Sequence, residues 1–157
     1  MKLTTTPNIS LRAARSDEAT ALTELCLRSK AHWGYDEAFM AACRTELTVA
    51  PDIIAGPFFH IVTVDGELAG VAEIGSEDGV WYLEKLFVDP RFMGLGLGRG
   101  LFDWAAKTAA AHGAASLEIA ADPDAVPFYE HHGARRIGEE PSGSIPGRML
   151  PLLELTL

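Results

Sequence analysis

The chain has 157 residues, of which 48% are hydrophobic and 22% are charged, and its formal net charge is −9. This size and composition predict a single globular domain of a soluble protein, and the acidic balance excludes a duplex nucleic-acid binder, which needs a basic surface. With only two cysteines, Cys26 and Cys43, we expect no disulfide framework and a reduced, cytoplasmic setting. The N-terminus lacks the apolar run of a signal peptide, and no segment approaches transmembrane length, so we expect no membrane association.

The first half of the chain predicts one strand, two helices and a hairpin. Its predicted elements are a strand over residues 9–14, helices over 16–30 and 37–47, and strands over 58–64 and 67–75. Apolar residues recur at helical spacing, at Leu22, Leu25 and Cys26 in the first helix and at Phe39, Cys43 and Leu47 in the second. Ser16 is the predicted N-cap of the first helix. Asp65 and Gly66 join two β-rich segments and predict the tight turn of a hairpin.

The second half predicts a further alternation of strands and helices. Its elements are a strand over 80–88, a helix over 98–112, a strand over 116–121, a short helix over 124–133, and strands over 134–140 and 149–157. The apolar segment 149–157 either completes the sheet or contacts a second subunit in a homodimer. The order β-α-α-β-β-β-α-β-α-β-β predicts a mixed α/β or α+β fold in one domain spanning residues 1–157.

The strand over 80–88 carries charged residues within an otherwise apolar sequence. Strict alternation predicts one face with Tyr82, Glu84, Leu86 and Val88, and another with Trp81, Leu83, Lys85 and Phe87. A charge on each face indicates that Glu84 or Lys85 lines a site.

Glycines alternate directly before the helix over 98–112, at Gly94, Gly96, Gly98 and Gly100. A helix start leaves backbone N–H groups unpaired and carries partial positive charge, and glycines let these amides surround an anion. The loop therefore predicts a phosphate or pyrophosphate site, with a purely structural turn as the alternative. Neither the dinucleotide pattern G-x-G-x-x-G nor the P-loop ending G-K-S/T fits the sequence. Gly100 falls inside the helix, where we expect close packing to require it.

Residues on both sides of this loop extend the pattern. They are Val88, Pro90, Gly94, Gly96, Gly98, Arg99, Asp122, Ala125, Tyr129 and Gly133. At this spacing the chain resembles the GNAT superfamily of acyl-CoA-dependent N-acetyltransferases, whose pattern runs V-x-P, R/Q-G-x-G-x-G-R/A, a helix and a strand, and N-x-x-A-x-x-x-Y-x-x-x-G-F. Three positions differ, since Met93 replaces Arg or Gln, Asp122 replaces Asn, and Ala134 replaces Phe. The order of elements also matches, so the resemblance covers nearly the whole chain and implies a twisted, mostly antiparallel mixed sheet flanked by helices.

The resemblance implies acetyl-CoA as the co-substrate and assigns its parts to segments of the chain. The fourth and fifth strands separate in the family, so the backbone of the fourth strand would pair with the pantetheine amides, here at Leu86, Phe87 and Val88. The pyrophosphate would be held by the amides of Met93, Gly94, Leu95, Gly96, Leu97, Gly98 and Arg99. The side chain of Arg99 either adds a charge-assisted phosphate contact or remains solvated. The replacement at Asp122 is expected to weaken a contact to the pantetheine arm or its equivalent.

Acetylation of an amine by direct attack needs a base for the ammonium, a donor to the oxyanion and an acid for the departing thiolate. Tyr129 occupies the general-acid position of the family, although the helix pattern alone is also satisfied by a buried structural tyrosine. Glu84 is the predicted base, with an ion pair to a neighbouring strand as its alternative role, and Glu73 is the reserve candidate. The oxyanion donor would be a strand amide near Phe87 or Val88.

Aromatic residues between the first two helices are expected at the acceptor site. They are His32, Trp33, Tyr35 and Phe39. They form either a wall for an organic amine, with a cation over Trp33, or a packed cluster that braces the loop.

The remaining histidines and the cysteines predict no further chemistry. No metal-ligand spacing appears among His60, His112, His131 and His132, so we expect no metal. Cys26 and Cys43 lie on apolar helix faces and are interpreted as small core residues rather than nucleophiles.

The sequence therefore predicts an acetyltransferase that moves an acetyl group from acetyl-CoA to an amine of a small molecule or peptide. A non-catalytic acyl-CoA-binding or regulatory domain on the same fold is the alternative, and thiol release in the presence of amines distinguishes the two. A nucleotide-binding protein is a third hypothesis, for which ATP or NAD but not CoA would stabilise the fold. The acceptor is not identified by the sequence, although the acidic charge favours a polyamine, an aminoglycoside or a basic peptide end over an anionic amine.

Overall fold

A computed structural model describes residues 6–157 of the chain. The strands are β1 (Ile9–Ala13), β2 (Phe59–Val64), β3 (Glu67–Glu77), β4 (Val80–Val88), β5 (Ser116–Ala120), β6 (Arg135–Pro141) and β7 (Met149–Thr156). The α-helices are α1 (Ala19–Ala31), α2 (Glu37–Leu47), α3 (Pro51–Ile54), α4 (Leu97–Ala111) and α5 (Val126–His131). Single 3₁₀ turns lie at Ser16–Glu18, Pro90–Phe92 and Pro123–Ala125.

The seven strands form one sheet in the order β1-β2-β3-β4-β5-β7-β6. Every neighbouring pair is antiparallel except β4 and β5, which are parallel. The predicted α+β fold with a mixed, mostly antiparallel sheet is confirmed. The bounds predicted for the second helix and for the strand over 80–88 agree with α2 and β4.

The turn between β2 and β3 follows from its two residues. Asp65 has φ of 50° and Gly66 has φ of 83°, the left-handed values that the twist of a two-residue hairpin requires. The predicted Asp-Gly hairpin is confirmed.

The core lies on both faces of the sheet. The face under α1, α2 and α3 buries a cluster that includes Leu22, Leu25, Cys43, Ile54, Ile61 and Val71. The opposite face packs against α4 through residues that include Ala72, Leu101, Phe102 and Ala105. Helix α4 approaches β3 so closely that a Cβ atom at Gly70 would lie 2.9 Å from Leu101 Cδ1 and 3.1 Å from the Phe87 carbonyl oxygen, so a side chain there would force its neighbours to shift.

A β-bulge interrupts the pairing of β3 with β4. Glu73 pairs with Lys85 and Ile74 pairs with Leu83, so Glu84 is the extra residue on β4. A bulge of this kind locally increases the twist and resets the alternation of side chains.

The bulge makes the predicted division of β4 into two faces wrong. Leu83, before the bulge, and Leu86, after it, both contact the core on the α4 side, although strict alternation would separate them. The error has a physical cause, because the alternation rule holds only where each residue of a strand has one partner opposite.

Three smaller expectations also differ from the structure. Ser16 is not the N-cap of the first helix: a 3₁₀ turn begins at Ser16, with Arg15 as its cap, and Glu18 is the cap residue of α1. A Cβ atom at Gly100 would meet only an ordinary contact, at 3.9 Å, so packing does not require this glycine. The four-residue helix α3 was not predicted.

Within residues 6–157, every helix is too short or too polar to cross a lipid bilayer.

Candidate active site

The site begins where β4 and β5 separate. The two parallel strands share one registered pair, Tyr82 with Glu118, and diverge beyond it. The C-terminal part of β4 remains paired with β3 on its other edge, through Leu86, Phe87 and Val88. Because neighbouring backbone groups of a strand point to opposite edges, this part of β4 presents unpaired groups to the gap.

A cavity of about 350 Å³ occupies this gap. Its walls come from β4, the end of β5, α5 and α2, together with the end of α1 and the segment between β6 and β7. The candidate site residues from the sequence that line it are Trp33, Glu84, Lys85, Leu86, Phe87, Val88, Met93, Gly98, Asp122 and Tyr129. A cavity of this size and mixed lining is typical of a small-molecule site.

The glycine loop is open to solvent at the start of α4. Gly94 and Gly96 have φ of 84° and 75°, and a Cβ atom at either position would meet no other residue within 4 Å. Within the described residues, the backbone N–H groups from Gly94 to Arg99 donate no hydrogen bond to protein. This row of free amides at a helix N-terminus fits a pyrophosphate, as the sequence predicts.

The side chains of the glycine loop differ in where they lie. Leu97, the first residue of α4, is buried in the core, while Met93 and Leu95 are exposed. Gly98 lies against the ring of Phe128, where a Cβ atom would be 3.4 Å from two ring carbons.

A more open depression follows the outer side of the loop. Arg99, His131 and His132 line it together with the glycines. Arg99 forms no salt bridge within residues 6–157, so its guanidinium is available to an anion in the depression. His132 packs against Phe128, with ring centroids 4.5 Å apart.

The Tyr129 side chain is buried, with 7% of its surface exposed. Its ring packs edge-on against Phe102 and Phe128, at centroid distances of 5.6 and 5.3 Å. The hydroxyl forms no hydrogen bond to the described residues, and no side-chain oxygen or nitrogen among them is both fully buried and unpaired. The hydroxyl is therefore open to the cavity that Tyr129 lines. Burial raises the pKa of Tyr129, as does the nearby charge of Asp122, so the phenol holds its proton at neutral pH.

Glu84 faces the same cavity from the bulge of β4. Its carboxylate lies over Gly75, where a Cβ atom would be 3.2 Å from Oε1. Glu84 forms no ion pair within residues 6–157. Desolvation by the surrounding walls, followed by the charge of Glu73, raises the pKa of Glu84 above its ordinary value.

Glu73 is paired on the neighbouring strand and does not line the cavity. Its Oε1 atom accepts a hydrogen bond of 3.1 Å from Lys85 Nζ, and both side chains are largely buried. Glu73 and Gly75 are two residues apart on β3, so Glu84, which lies against Gly75, shares a face with this pair. The sequence left open that Glu84 forms an ion pair with a neighbouring strand. In the structure the ion pair between β3 and β4 is formed by Lys85 with Glu73, and Glu84 is not part of it.

Asp122 lines the cavity and is the centre of a polar cluster. Its Oδ2 atom accepts a 2.6 Å hydrogen bond from the Tyr35 hydroxyl and a 3.5 Å contact from Lys30 Nζ. Arg148 Nη2 donates to the Tyr35 hydroxyl at 2.9 Å and lies 3.8 Å from Asp122 Oδ2. Burial and the hydrogen bond to Asp122 raise the pKa of Tyr35 to about 12.

The aromatic residues between α1 and α2 lie in two different places, some at the cavity and some packed against each other. Trp33 lines the cavity and is 45% exposed, whereas His32 contacts Trp33 edge-on outside it. Tyr35 stacks on Phe39 with ring centroids 4.0 Å apart, and Arg148 lies over the Phe39 ring at 4.9 Å. The structure therefore brings Trp33 to the cavity and places Tyr35 in the polar cluster behind it.

Other lining residues were not singled out from the sequence. They are chiefly Lys30, Glu46 and Arg148. Arg148 follows a turn-rich segment and lies 113 residues from Tyr35, so no local pattern connects the two. Glu46 has the polar, exposed character of an ordinary outward helix position.

The two cysteines are buried, free thiols. Burial raises the pKa of Cys26 to about 12, which disfavours the reactive thiolate. Within residues 6–157, no three metal-ligating side chains converge on one point.

Comparison with known proteins agrees with this geometry. The family model described as "Acetyltransferase (GNAT) domain" matches residues 17–143, and the chain therefore belongs to this family. It is an N-acetyltransferase domain of the GNAT class, and acetyl-CoA is the acyl donor of that class.

Three similar proteins illustrate the match. The PaiA N-acetyltransferase of Thermoplasma acidophilum, in complex with coenzyme A, is 17% identical, with a TM-score of 0.79 over 96% of this chain and 99% of that chain. A GCN5-related N-acetyltransferase of Rhodopseudomonas palustris is 22% identical, with a TM-score of 0.77 over 100% and 99% of the two chains. The uncharacterized N-acetyltransferase YjcF of Bacillus subtilis is 35% identical over 82 residues, which are 52% of this chain and 59% of YjcF. The chain thus matches less than two thirds of the length of this curated relative.

Proposed function

We propose that this domain transfers an acetyl group from acetyl-CoA to an amine by direct attack, with Tyr129 as the acid and Glu84 as the base. The observation that carries the proposal is that both side chains, neither of them paired, face one cavity between the separated strands β4 and β5. Tyr129 is the acid because its phenol holds a proton that it can give, and Glu84 is the base because its carboxylate can accept one.

The glycine loop and β4 hold the donor. The free amides from Gly94 to Arg99 bind the pyrophosphate, and the exposed guanidinium of Arg99 adds a charge-assisted contact. The edge of β4 from Leu86 to Val88 pairs with the pantetheine amides in the gap that β5 leaves open. This arrangement directs the thioester end towards Tyr129.

Glu84 takes the proton of the acceptor ammonium, directly or through a water molecule. Its raised pKa makes the carboxylate a stronger base than an ordinary glutamate. The amine nitrogen, once neutral, forms a bond to the thioester carbonyl carbon. An amide of β4 near Phe87 or Val88 stabilises the charge that develops on the carbonyl oxygen.

Tyr129 completes the reaction. As the carbon–sulfur bond breaks, the electron pair passes to sulfur, and the Tyr129 hydroxyl supplies the proton that converts the thiolate to a thiol. The nitrogen, which still carries an extra proton after the attack, loses it to solvent as the amide forms. The proton held by Glu84 also returns to solvent, and a solvent proton restores the phenol. Acetylated amine and free CoA leave with the net release of one proton, so atoms and charges balance.

Thiol release from acetyl-CoA across a panel of amines tests this proposal. Tyr129→Phe keeps the ring in its aromatic cluster and removes only the unpaired hydroxyl, so we expect normal folding and a loss of kcat of about 10²-fold or more. Glu84→Gln should give a comparable loss and remove the acid limb of the pH profile. Tyr82→Phe is the matched control, because Tyr82 lies on β4 but does not line the cavity, and it should retain activity.

Two outcomes contradict the proposal. Binding of acetyl-CoA without thiol release for any amine would favour a non-catalytic acyl-CoA-binding domain. Full activity of both Tyr129→Phe and Glu84→Gln would show that other groups move the protons.

A further inference from the structure

We propose that the acceptor amine also carries a carboxylate, as a free amino acid does, and that Arg148 and Lys30 bind this carboxylate. The proposal rests on the function above and specifies the class of its acceptor. It depends on two cations in the cavity wall that share a single carboxylate of the protein.

Lys30, Arg148 and Asp122 come from three parts of the chain and meet in the wall of the cavity. Lys30 lies in the last turn of α1, Asp122 follows β5, and Arg148 directly precedes β7. The three side chains are largely buried, with exposed fractions of 17% for Lys30, 20% for Arg148 and 13% for Asp122. They are therefore part of the cavity wall rather than of an open, solvated surface.

The charges of this group do not cancel. Lys30 Nζ lies 3.5 Å from Asp122 Oδ2, and Arg148 Nη2 lies 3.8 Å from the same oxygen atom. The other carboxylates that line the cavity are those of Glu46, Glu84 and Asp124. Within residues 6–157, none of them forms a salt bridge with either cation. Two positive charges against one negative charge leave one positive charge uncompensated.

Aromatic rings stabilise both cations without neutralising them. Lys30 Nζ lies 5.6 Å from the centre of the Tyr35 ring, and the Arg148 guanidinium lies 4.9 Å from the centre of the Phe39 ring. A ring face attracts a cation but carries no net charge. A cation removed from water costs free energy unless an anion pairs with it, so the group is completed by an anionic ligand.

Arg148 has unused hydrogen-bond donors that face the cavity. Its Nη2 atom donates to the Tyr35 hydroxyl at 2.9 Å, and within the described residues its side chain forms no other hydrogen bond. No side-chain nitrogen among those residues is both fully buried and unpaired, so the other N–H groups of Arg148 are open to the cavity that it lines. A guanidinium binds a carboxylate through two parallel N–H groups, and these donors can supply them.

Tyr35 holds the guanidinium in place for this contact. The Tyr35 hydroxyl accepts the hydrogen bond from Arg148 and donates one of 2.6 Å to Asp122 Oδ2. Its ring stacks on Phe39, which lies in α2. Arg148 is thus fixed through Tyr35 to Asp122, and a carboxylate meets an oriented partner rather than a mobile side chain.

The acceptor, rather than the donor, supplies the anion. The phosphates of CoA are assigned to the glycine loop, and the pantetheine arm that enters the cavity is uncharged. Arg148 and Lys30 line the cavity that Glu84 and Tyr129 share, whereas the outer depression beside the glycine loop is lined by Arg99, His131 and His132. The cations therefore lie where the acceptor and the thioester meet.

An amino acid matches both signs of charge in this cavity. Glu84, the proposed base, forms no ion pair within residues 6–157 and is available to the ammonium group. Arg148 and Lys30 are available to the carboxylate. The net charge of the chain, −9, favoured a cationic acceptor, but recognition depends on the charges of the cavity wall. A polyamine or a peptide N-terminus brings no carboxylate beside its amine and leaves the cations uncompensated.

Matched acceptors test the inference in the thiol-release assay with the full chain. Each common amino acid is compared with its carboxamide, which has the same side chain and nearly the same size but no carboxylate. The amine of a carboxamide loses its proton more readily, so a preference for the free acid cannot arise from the amine. We expect kcat/KM for the best amino acid to exceed that for its carboxamide by about tenfold or more.

Two variants assign the preference to the cations. Arg148→Gln and Lys30→Gln each remove one positive charge and leave Asp122 with a single cation. In each, the ratio of kcat/KM for the free acid to that for the carboxamide should fall about tenfold, and Arg148→Lys should retain part of the preference. This ratio does not depend on how much of a preparation folds, because both acceptors are measured on the same protein.

Arg136→Gln is the matched control. It removes the same charge from an exposed position of β6, where Arg136 pairs with Glu139 at 3.0 Å, and Arg136 does not line the cavity. We expect this variant to keep the wild-type ratio.

The outcomes separate this inference from the function on which it rests. Equal kcat/KM for free acids and carboxamides would overturn the inference and leave the acetyltransferase intact. A preference that both glutamine variants retain would overturn the role of Arg148 and Lys30. Weaker CoA binding by both variants in calorimetry, with an unchanged ratio, would assign the cations to the phosphates of the donor. Absence of turnover with every amine would reject the proposed function, and the inference with it.

Discussion

The carboxylate of Glu84 occupies the space that a side chain at Gly75 would need. A Cβ atom at Gly75 would lie 3.2 Å from Glu84 Oε1 and 3.4 Å from its Cγ atom. The bulge on β4 turns Glu84 to this face, and the glycine on β3 makes room for it. The position of the proposed base thus depends on a residue of the neighbouring strand.

Replacement of Gly75 should therefore affect catalysis more than folding. In Gly75→Ala the flexible Glu84 side chain has to shift by a few tenths of an ångström, and we expect kcat/KM to fall roughly tenfold, because misplacement of a reacting group is costly. The melting temperature should change little. Gly138→Ala is the matched control, since a Cβ atom at Gly138 meets nothing within 4 Å. Equal activity of the two variants would contradict the positioning role of Gly75.

The pH dependence of kcat/KM should change when the charge of Glu73 is removed. Burial and Glu73 both raise the pKa of Glu84, and the base must be ionised to act. Glu73→Gln removes the negative charge that raises the pKa of Glu84, while the Lys85 ammonium continues to lower it, so the pKa of Glu84 should fall. We therefore expect the acid limb of kcat/KM to move to lower pH. An unchanged or raised limb, measured beside Glu37→Gln, which removes a charge from the exposed start of α2, would show that Glu84 is not the titrating base.

Substitutions at two glycines with left-handed backbone angles should distinguish an effect on CoA binding from an effect on stability. Gly96 has φ of 75° at the start of α4, and Gly113 has φ of 89° just after its end. A Cβ atom at either position would meet no other residue within 4 Å. Alanine at either position costs about 1–2 kcal/mol of backbone strain. Both variants should lose similar stability in urea unfolding, but only Gly96→Ala should bind CoA at least about tenfold more weakly, because its Cβ atom enters the anion site. Equal CoA affinity in the two variants would place the pyrophosphate elsewhere.

Asp89 should make stability depend on pH. It is fully buried at the end of β4, and its Oδ2 atom accepts hydrogen bonds of 2.8 Å from Arg28 and 3.2 Å from Arg91. Burial alone would raise the pKa of Asp89, but these hydrogen bonds outweigh it and hold the pKa below its ordinary value. A lowered native pKa means that the carboxylate stabilises the fold above the unfolded pKa and loses this effect as pH falls through the native one.

The isosteric Asp89→Asn variant measures this contribution. It keeps an acceptor oxygen for the Arg91 amide and removes the charge. We expect a loss of about 1–3 kcal/mol in the free energy of unfolding at pH 7. The difference from wild type should diminish below about pH 4, where the unfolded carboxyl is protonated. A difference that does not change with pH would show that the ion pairs contribute nothing.

Local features of the sequence predicted most of the helices and strands and the glycine loop before α4. The Asp65–Gly66 turn, the apolar faces of α1 and α2 and the glycine loop each depend on neighbours in the chain, so their conformations follow from residue type. These parts could be predicted because the interactions that form them are short in sequence. The role predicted for Tyr129 came instead from the resemblance to the GNAT family, because the helix pattern alone was also satisfied by a buried structural tyrosine.

Long-range pairing determined the rest. The bulge at Glu84 depends on how β3 and β4 align on both sides of it, and no residue of β4 alone predicts it. The cluster of Tyr35, Asp122 and Arg148 joins residues 87 and 113 positions apart, and Glu46, at the cavity wall, contacts Ser144, which is 98 positions away. Strand register and loop packing are set by the combined burial of distant segments. The glycine loop could therefore be predicted from the sequence, whereas the arrangement of charged residues around the cavity is determined only in the folded chain.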